Sequence, residues 1–201
     1  MTLALTEPSG RLDETGIETK AIRSNNDYII TGTKLLVPDA HIADWFLCAA
    51  KEGEGITLFL IDAKTPGINC TLLKTLASDK QCEVILDNAK VPARNILGKS
   101  GTGWEIARKI EEWGAMAQCA LTSGCLQQVL EMTTDYAKER IQFSRPIGSF
   151  QVIQHQCADI AIDIDAVKFI TYKAAWKLSQ GLPATIEVSM AKAWTRDASR
   201  R

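Results

Sequence analysis

Along the first hundred residues the apolar positions come in short runs separated by polar or glycine-containing stretches. In "AIRSNNDYIITGTKLLV" apolar residues flank Asn25, Asn26 and Asp27, and a strand pattern resumes from Tyr28 to Ile30, which reads as a hairpin. "DWFLCAAKEGEGITLFLID" repeats the plan, with Glu52, Gly53, Glu54 and Gly55 as its turn, and "CEVILDNAKV" adds another strand. Runs this short, with glycine between them, do not make helices. The pattern predicts a small all-β domain, a barrel or sandwich, over residues 1–100.

Near residue 100 the period changes. Thr102 and Glu105 have the spacing of a capping box, in which the hydroxyl takes the Glu105 N–H and the carboxylate reaches back. Ile106, Ile110, Trp113, Ala117, Ala120, Leu121 and Gly124 then recur at three- and four-residue steps. A second stripe follows Ser149: Ile153, Cys157, Ile160, Ile164, Val167, Thr171 and Ala174. Pro183 suits the first turn of a third helix running to about Ser199. We therefore expect helices near 103–138, 150–179 and 183–199, and an α+β chain whose residues 101–201 form an up-down helical bundle. Three such helices want a fourth, or another subunit, to close their core. The chain opens in the strand-like "TLALTEP" and stops abruptly at Arg201, so both ends read as cut from something larger.

Composition narrows the function. The 201 residues carry a net charge of −1, with 46% hydrophobic and 23% charged residues. That balance excludes the basic surface needed for non-specific nucleic-acid binding. No apolar run approaches the roughly 18 residues of a membrane span, and no export signal is visible at the N-terminus. Six cysteines form no C-x-x-C pair, and only His41 and His155 could join them. Small buried thiols in a reducing compartment fit better than a zinc site. Asp44 and Asp87 read as turn or edge carboxylates. His155 reads as a cap or subunit contact, and Trp104, Trp113 and Trp176 as core or interface residues.

The stretch "YAKERIQFSRPIGSFQ", Tyr136 to Gln151, breaks the helical pattern with a basic, aromatic, proline- and glycine-containing insert. Arg140, Gln142 and Phe143 could together hold the phosphate-and-adenine end of a nucleotide. They could equally form a helix–helix corner with a solvated arginine.

Four segments occur in one order: "LALTEPSGRLD" at Leu3–Asp13, "GTKLLVPDAHIADW" at Gly32–Trp45, "VPARNILGKSGTGW" at Val91–Trp104 and "ERIQFSRPIGSFQVIQHQCADI" at Glu139–Ile160. In this order and spacing the chain resembles the acyl-CoA dehydrogenase flavoprotein family. The resemblance covers the family's middle β-domain (1–100, flavin side) and the first three helices of its C-terminal domain (101–201, ADP side and oligomer interface). The N-terminal helical domain and the last helices have no counterpart here.

The resemblance implies FAD as cofactor, lying between β-domain and bundle, with its adenine end reaching a neighbouring subunit. Leu3, Leu5 and Thr6 would run along the isoalloxazine and pyrophosphate, and Leu36, Val37 and Pro38 would pass the ring from the other side. Arg140 and Gln142 would contact the neighbour's pyrophosphate and ADP portion, where a guanidinium fork suits a dianion. Phe143, Phe150 and Gln151 would line the adenosine, and the Pro146–Gly148 turn would set the angle between two helices. The resemblance also implies an acyl-CoA substrate, an electron-transfer flavoprotein as electron acceptor, a homodimer or tetramer, and a cytoplasmic or mitochondrial-matrix location.

The departures from the family pattern fall at the reacting end. Arg11, Leu12 and Asp13 stand where Gly-Ser-Asp is usual, so the serine that would meet substrate and cofactor is lost at Leu12. Leu36 replaces a shielding aromatic. Pro38 replaces a Thr or Ser whose hydroxyl and N–H would face flavin N5 and O4, and proline has neither group. On the first long helix Glu112 matches an acyl-CoA-facing acid, but Ala115 stands where an arginine is usual. The implied chemistry is α,β-dehydrogenation: a carboxylate takes the α-proton of a thioester while a hydride leaves the β-carbon for flavin N5. The usual glutamate lies in a segment this chain lacks, and the alternative position corresponds to Gly114. Glu111, one turn earlier, could approach the same pocket or could be a solvated helix-face residue. No catalytic residue is assigned within the chain. The alternatives are a related flavin reductase, oxidase or monooxygenase, or a non-catalytic member that only folds and oligomerises.

Overall fold

The computed structural model describes residues 1–200, which divide into two compact units at Lys109/Ile110. The first unit contains eight strands: β1 (Thr2–Ala4), β2 (Lys20–Ser24), β3 (Asp27–Pro38), β4 (Trp45–Glu52), β5 (Gly55–Asp62), β6 (Ile68–Leu73), β7 (Gln81–Pro92) and β8 (Ile96–Leu97). Both expected hairpins form. Ser24 pairs with Asp27 and Glu52 with Gly55, leaving two-residue turns. Each turn opens on a residue with positive φ, Asn25 at 55° and Gly53 at 59°, as tight hairpins that follow strand twist require.

The strands hydrogen-bond in the order β6-β7-β3-β2-β4-β5-β8, with β1 added parallel to β4. Of the two forms expected, barrel or sandwich, a closed barrel does not form: the path ends at β6 and β8 and does not close among the described residues. β8 is two residues long and offers no ladder for β6. β2 meets β4 through the single pair Lys20 and Lys51, so the two halves of the path are joined at one point. The core comes from the inward phase of the strands. Ile30, Val37, Phe46, Phe59, Ile61, Val84, Leu86 and Val91 are almost wholly buried, and the Tyr28 and Phe59 rings lie 5.1 Å apart.

Glu52 ties this unit to the start of the first long helix. Its carboxylate accepts hydrogen bonds from the hydroxyls of Tyr28, Thr57 and Ser100, each at 2.7 Å. Thr57 Oγ1 in turn accepts the Gly101 N–H at 2.8 Å. Burial raises the Glu52 pKa, but the bonds from Ser100, Thr57 and Tyr28 outweigh it and hold the carboxyl below its ordinary value. The helix opens at Gly103, where a Cβ would lie 2.6 Å from the Leu58 nitrogen, so only glycine lets the helix start this close to the sheet. The Thr102 hydroxyl donates to the Lys99 carbonyl at 3.0 Å rather than completing the expected capping box.

The second unit holds α1 (Gly103–Glu139, from Ile110 onward), α2 (Gln151–Ser179) and α3 (Thr185–Ala198), with the short hairpin β9 (Ile141–Gln142) and β10 (Arg145–Pro146) between α1 and α2. Pro183 precedes α3 by two residues instead of sitting in its first turn. The α2 stripe falls where periodicity places it: Ile164, Val167, Thr171 and Ala174 are buried. Ala174 packs with Ala184 and Val188, against which Ala115 and Leu178 are half-buried. Lys177 donates to Glu187 at 2.6 Å across this junction.

The α1 stripe does not fall as expected. Trp113 and Leu121 are 48% and 62% exposed, whereas small Cys119 and Ala137 are buried. Small side chains let elements approach closely, and the bulky ones are left outside. The same holds elsewhere in this unit: Ile162, Phe169, Tyr172 and Trp176 on α2 and Ile186, Met190 and Trp194 on α3 form exposed apolar stripes at helical spacing. Among the cysteines Cys48, Cys82 and Cys119 are buried, but Cys125 is exposed, contrary to a uniform set of buried thiols.

Candidate cofactor site

Two clusters carry the residues that sequence singles out, one in each unit. In the β unit, β1 and the loop after it lie alongside β3. Leu35 donates its N–H to the Thr6 carbonyl at 2.9 Å, and the Thr2 hydroxyl donates to the Pro38 carbonyl at 2.6 Å. These bonds bring Leu3, Leu5 and Thr6, all half-buried, beside Leu36, Val37 and Pro38. The register of β3 against β7 shifts between Lys34 and Val37, and Leu36 within that bulge has φ 53°, unusual for a leucine. The bulge turns the Leu36 side chain outward, 54% exposed, while Val37 points into the core at 1%. A ligand along this edge would meet the Leu36 side chain and the backbone of Val37. At Pro38 it would find no N–H.

Leu12 is 78% exposed and lies beyond a tight turn in which Gly10 donates to the Glu7 carbonyl at 2.9 Å. Asp13, the one residue kept from Gly-Ser-Asp, caps the following turn by accepting the Thr15 N–H at 2.9 Å. The Thr15 hydroxyl also bonds it, holding its carboxyl below the ordinary value.

Sequence reasoning missed the strongest polar feature of this edge. Glu7 and Lys34 form a buried ion pair at 2.6 Å, with side-chain exposures of 2% and 0%. Glu7 also accepts the backbone N–H groups of Glu18 and Thr19 at 2.8 and 3.0 Å. Lys34 stands in phase with buried Ile30 on a half-buried strand. A lysine at an inward position demands a buried partner, and that was the available signal.

The second cluster is the corner between α1 and α2. Arg140 follows the last turn of α1: its N–H donates to the Tyr136 carbonyl at 2.8 Å and its carbonyl accepts from Ile147 at 2.8 Å. Gln142 pairs with Arg145 across a turn whose central residues, Phe143 and Ser144, have φ of 52° and 63°. Both are left-handed without being glycine, a conformation that costs on the order of 1 kcal/mol or more per residue. This turn holds the Phe143 ring 86% exposed, edge-on to Phe150 at 6.0 Å, while the Arg145 guanidinium sits 4.1 Å over Phe150. Arg140, Gln142 and Gln151 are exposed around them. Gly148 seats the corner: a Cβ there would be 2.9 Å from the Ala137 carbonyl oxygen.

Two of the residues expected to meet substrate lie on α1. Glu112 accepts the Thr185 hydroxyl at 2.6 Å, and Ala115 packs against the α2–α3 junction. Glu111 is exposed, and around Gly114 the space for a side chain is open. A groove of about 670 Å³ between α1 and α3 shares only Ala115 with the expected ligand-facing residues.

Comparison with known proteins joins the two clusters to one lineage. Residues 2–89 match the acyl-CoA dehydrogenase middle domain and residues 101–201 the acyl-CoA dehydrogenase C-terminal domain. An acyl-CoA dehydrogenase of Bacillus subtilis is 36% identical over 204 residues, spanning 98% of this chain and 54% of the relative. The solved butyryl-CoA dehydrogenase of Megasphaera elsdenii superposes with a TM-score of 0.90 at 30% identity, over 98% of this chain and 54% of that one. A chain solved in work on the electron transferring flavoprotein of Acidaminococcus fermentans gives 0.91 at 30% identity, over 98% of this chain and 54% of that one. This chain thus spans about half the length of the relatives it matches, and it belongs to the acyl-CoA dehydrogenase family.

Proposed function

We propose that this chain supplies the FAD-binding middle and first helical portions of an oxidoreductase that introduces an α,β double bond into an acyl-CoA thioester and passes electrons to an electron-transfer flavoprotein. The observation that carries this reading is the corner at Phe143. A plain helix–helix corner has no need of two strained non-glycine residues that hold an aromatic ring in solvent beside Arg140. A cationic and aromatic patch of this kind suits a pyrophosphate and an adenine. The β-unit edge suits the flavin ring in part: it offers a backbone-lined bulge and the Thr6 hydroxyl, but Pro38 withholds a donor.

Bound FAD would accept the hydride from the β-carbon of the thioester. The chain's own residues hold the cofactor: Arg140 and Gln142 the phosphates and ADP portion, Phe143, Phe150 and Gln151 the adenosine, and Leu3, Leu5, Thr6, Leu36 and Val37 the ring. The ADP-side residues act on the FAD of a second copy, and exposed Trp113 and Leu121 of α1 with the exposed stripe of α2 supply the contact that brings the copies together. No residue of this chain is assigned to the proton abstraction.

A second reading keeps the flavin but changes the reaction. The missing donor at Pro38 favours it, because a donor to N5 and O4 of the oxidised flavin makes the ring a better hydride acceptor. A 3-(aryl)acrylate reductase of Clostridium sporogenes is 32% identical over 207 residues, 99% of this chain and 55% of the relative. Anaerobic addition of a panel of acyl-CoA thioesters to FAD-loaded protein decides between the two. Bleaching of the flavin absorbance by one of them is expected. A flavin that no acyl-CoA bleaches, but that reoxidises with an acrylate-type acceptor, would establish the second reading.

A further inference from the structure

Glu7 and Lys34 sit beneath the two backbone segments that form the proposed flavin edge. The Glu7 carboxylate accepts from Lys34 Nζ at 2.6 Å and from the N–H groups of Glu18 and Thr19 at 2.8 and 3.0 Å. Lys34 Nζ also donates to the Leu5 carbonyl at 3.4 Å. One ion pair therefore binds the Leu5–Glu7 loop, the Glu18–Thr19 segment and β3. Soon after each partner the chain turns. The turn that follows Glu7 closes on Gly10 at φ 68°, and the bulge that follows Lys34 puts Leu36 at φ 53°. Between them lies the single bond from Leu35 N–H to the Thr6 carbonyl, which sets Thr6 against the bulge.

A pair this deeply buried is a poor device for stability alone, because an apolar pair of similar volume commonly does as well. What an apolar pair cannot do is accept two backbone N–H groups and donate to a carbonyl at fixed directions. Thr19 packs against Gly32 so closely that a Cβ on Gly32 would fall 2.3 Å from the Thr19 hydroxyl oxygen, so the segment held by Glu7 is itself seated on β3.

We propose that Glu7 and Lys34 are positioning residues: they hold the Thr6 loop in register with the Leu35–Val37 bulge, so that the flavin-facing edge exists before the cofactor arrives. The cofactor part of this inference rests on the proposed function. The register part does not.

The test compares wild type with Lys34→Met, Glu7→Gln and the double variant Glu7→Gln/Lys34→Met. Lys34→Met leaves a carboxylate buried without its cation and is expected to melt well below wild type. The double variant removes both charges and is expected to regain most of that loss. Amide hydrogen exchange at Leu35 then reads the loop directly. Exchange at least tenfold faster in the folded double variant is expected, with the amides of β4 and β5 unchanged. FAD titration is expected to show at least tenfold weaker binding. A folded double variant with wild-type protection at Leu35 and wild-type FAD affinity overturns the proposal. If the wild type binds no FAD, the functional reading fails, and the Leu35 exchange still decides whether the pair sets the register. Should neither double nor single variant fold, Glu7→Asp, which keeps the charge but shortens the reach, takes the same two measurements. Wild-type exchange and affinity in that variant would count against a role that depends on geometry.

Discussion

The two units bury different kinds of residue. In the β unit the large side chains are inside: Phe46, Phe59, Leu58, Ile30, Ile61 and Leu86 are at most 2% exposed. In the helical unit the inside is mostly small, with Ala174, Ala184, Ala191 and Cys119, and the large residues face outward, Phe169 at 69% and Trp176 at 58% exposed. Strand alternation gives each β residue one inward neighbour set and fills it from the same chain. The helices have apolar residues on more than one face, and three helices cannot cover them all. The contrast separates a unit that buries its large apolar side chains from one that leaves many of them exposed. It also matches the chemistry proposed for each, a ring-binding edge built by the chain itself and an adenine-binding corner that serves a second copy.

Substitutions in each unit test that contrast. The largest effect belongs to Phe59→Ala, which empties a site of 0% exposure beside Tyr28 and should destabilise the β unit by about 3–5 kcal/mol. Chemical denaturation followed by near-ultraviolet circular dichroism measures it, and a loss below about 1 kcal/mol would mean the core is not the close-packed one described. Gly148→Ala comes next. Its Cβ meets the Ala137 backbone, so the corner must shift, at a cost of about 1–3 kcal/mol. The same variant should weaken FAD binding, since Arg140 and Phe143 ride on that corner.

Glu52 gives a smaller, pH-dependent effect. Its folded pKa lies below the ordinary value near 4.5, so the unfolded chain takes up the proton first and the stability that Glu52 contributes is present above that pH. As the pH falls through the depressed folded value that contribution is lost. Glu52→Gln should flatten this part of the pH–stability curve, and thermal melts at intervals between pH 3 and 6 test it. An unchanged curve would show that the three hydroxyls do not favour the charged form.

The smallest effect on stability, and the most informative about the second unit, is at Phe169. Phe169→Ser removes an exposed ring and should change unfolding by no more than about 0.5 kcal/mol. Sedimentation velocity should nonetheless show smaller species than wild type. A wild type that is monomeric at tens of micromolar would remove the oligomer from the account.

What was legible in the sequence follows from how local each feature is. The hairpin turns at Asn25 and Gly53 and the α2 stripe rest on neighbours in the chain, and periodicity finds them. Closure of the sheet depends on which distant strands pair, so the sequence left barrel and sandwich undecided, and the structure has an open path ending at β6 and β8 among the described residues. The α1 stripe misled because apolar period alone does not say which face meets protein. Alanine and cysteine took the inside, and Trp113 and Leu121 stayed out. At the candidate site the motif around Arg140 marked a break between two helices, and a corner stands there, but the left-handed pair at Phe143 and Ser144 carries no glycine and left no signal. The Glu7–Lys34 pair was readable only from Lys34 standing in the inward phase, and its carboxylate partner lies 27 positions away.

The proposed function turns on FAD being held through the corner at Arg140. Titration of the purified protein with FAD, followed by flavin fluorescence and controlled for folding by circular dichroism, decides it. Loss of a charge-assisted bond to a phosphate should cost about 1.5–3 kcal/mol, so Arg140→Ala should bind FAD about ten- to a hundred-fold more weakly with an unchanged fold. Arg140→Lys should recover only part of the loss, because an ammonium lacks the guanidinium fork. Equal affinity in wild type and Arg140→Ala would contradict the account.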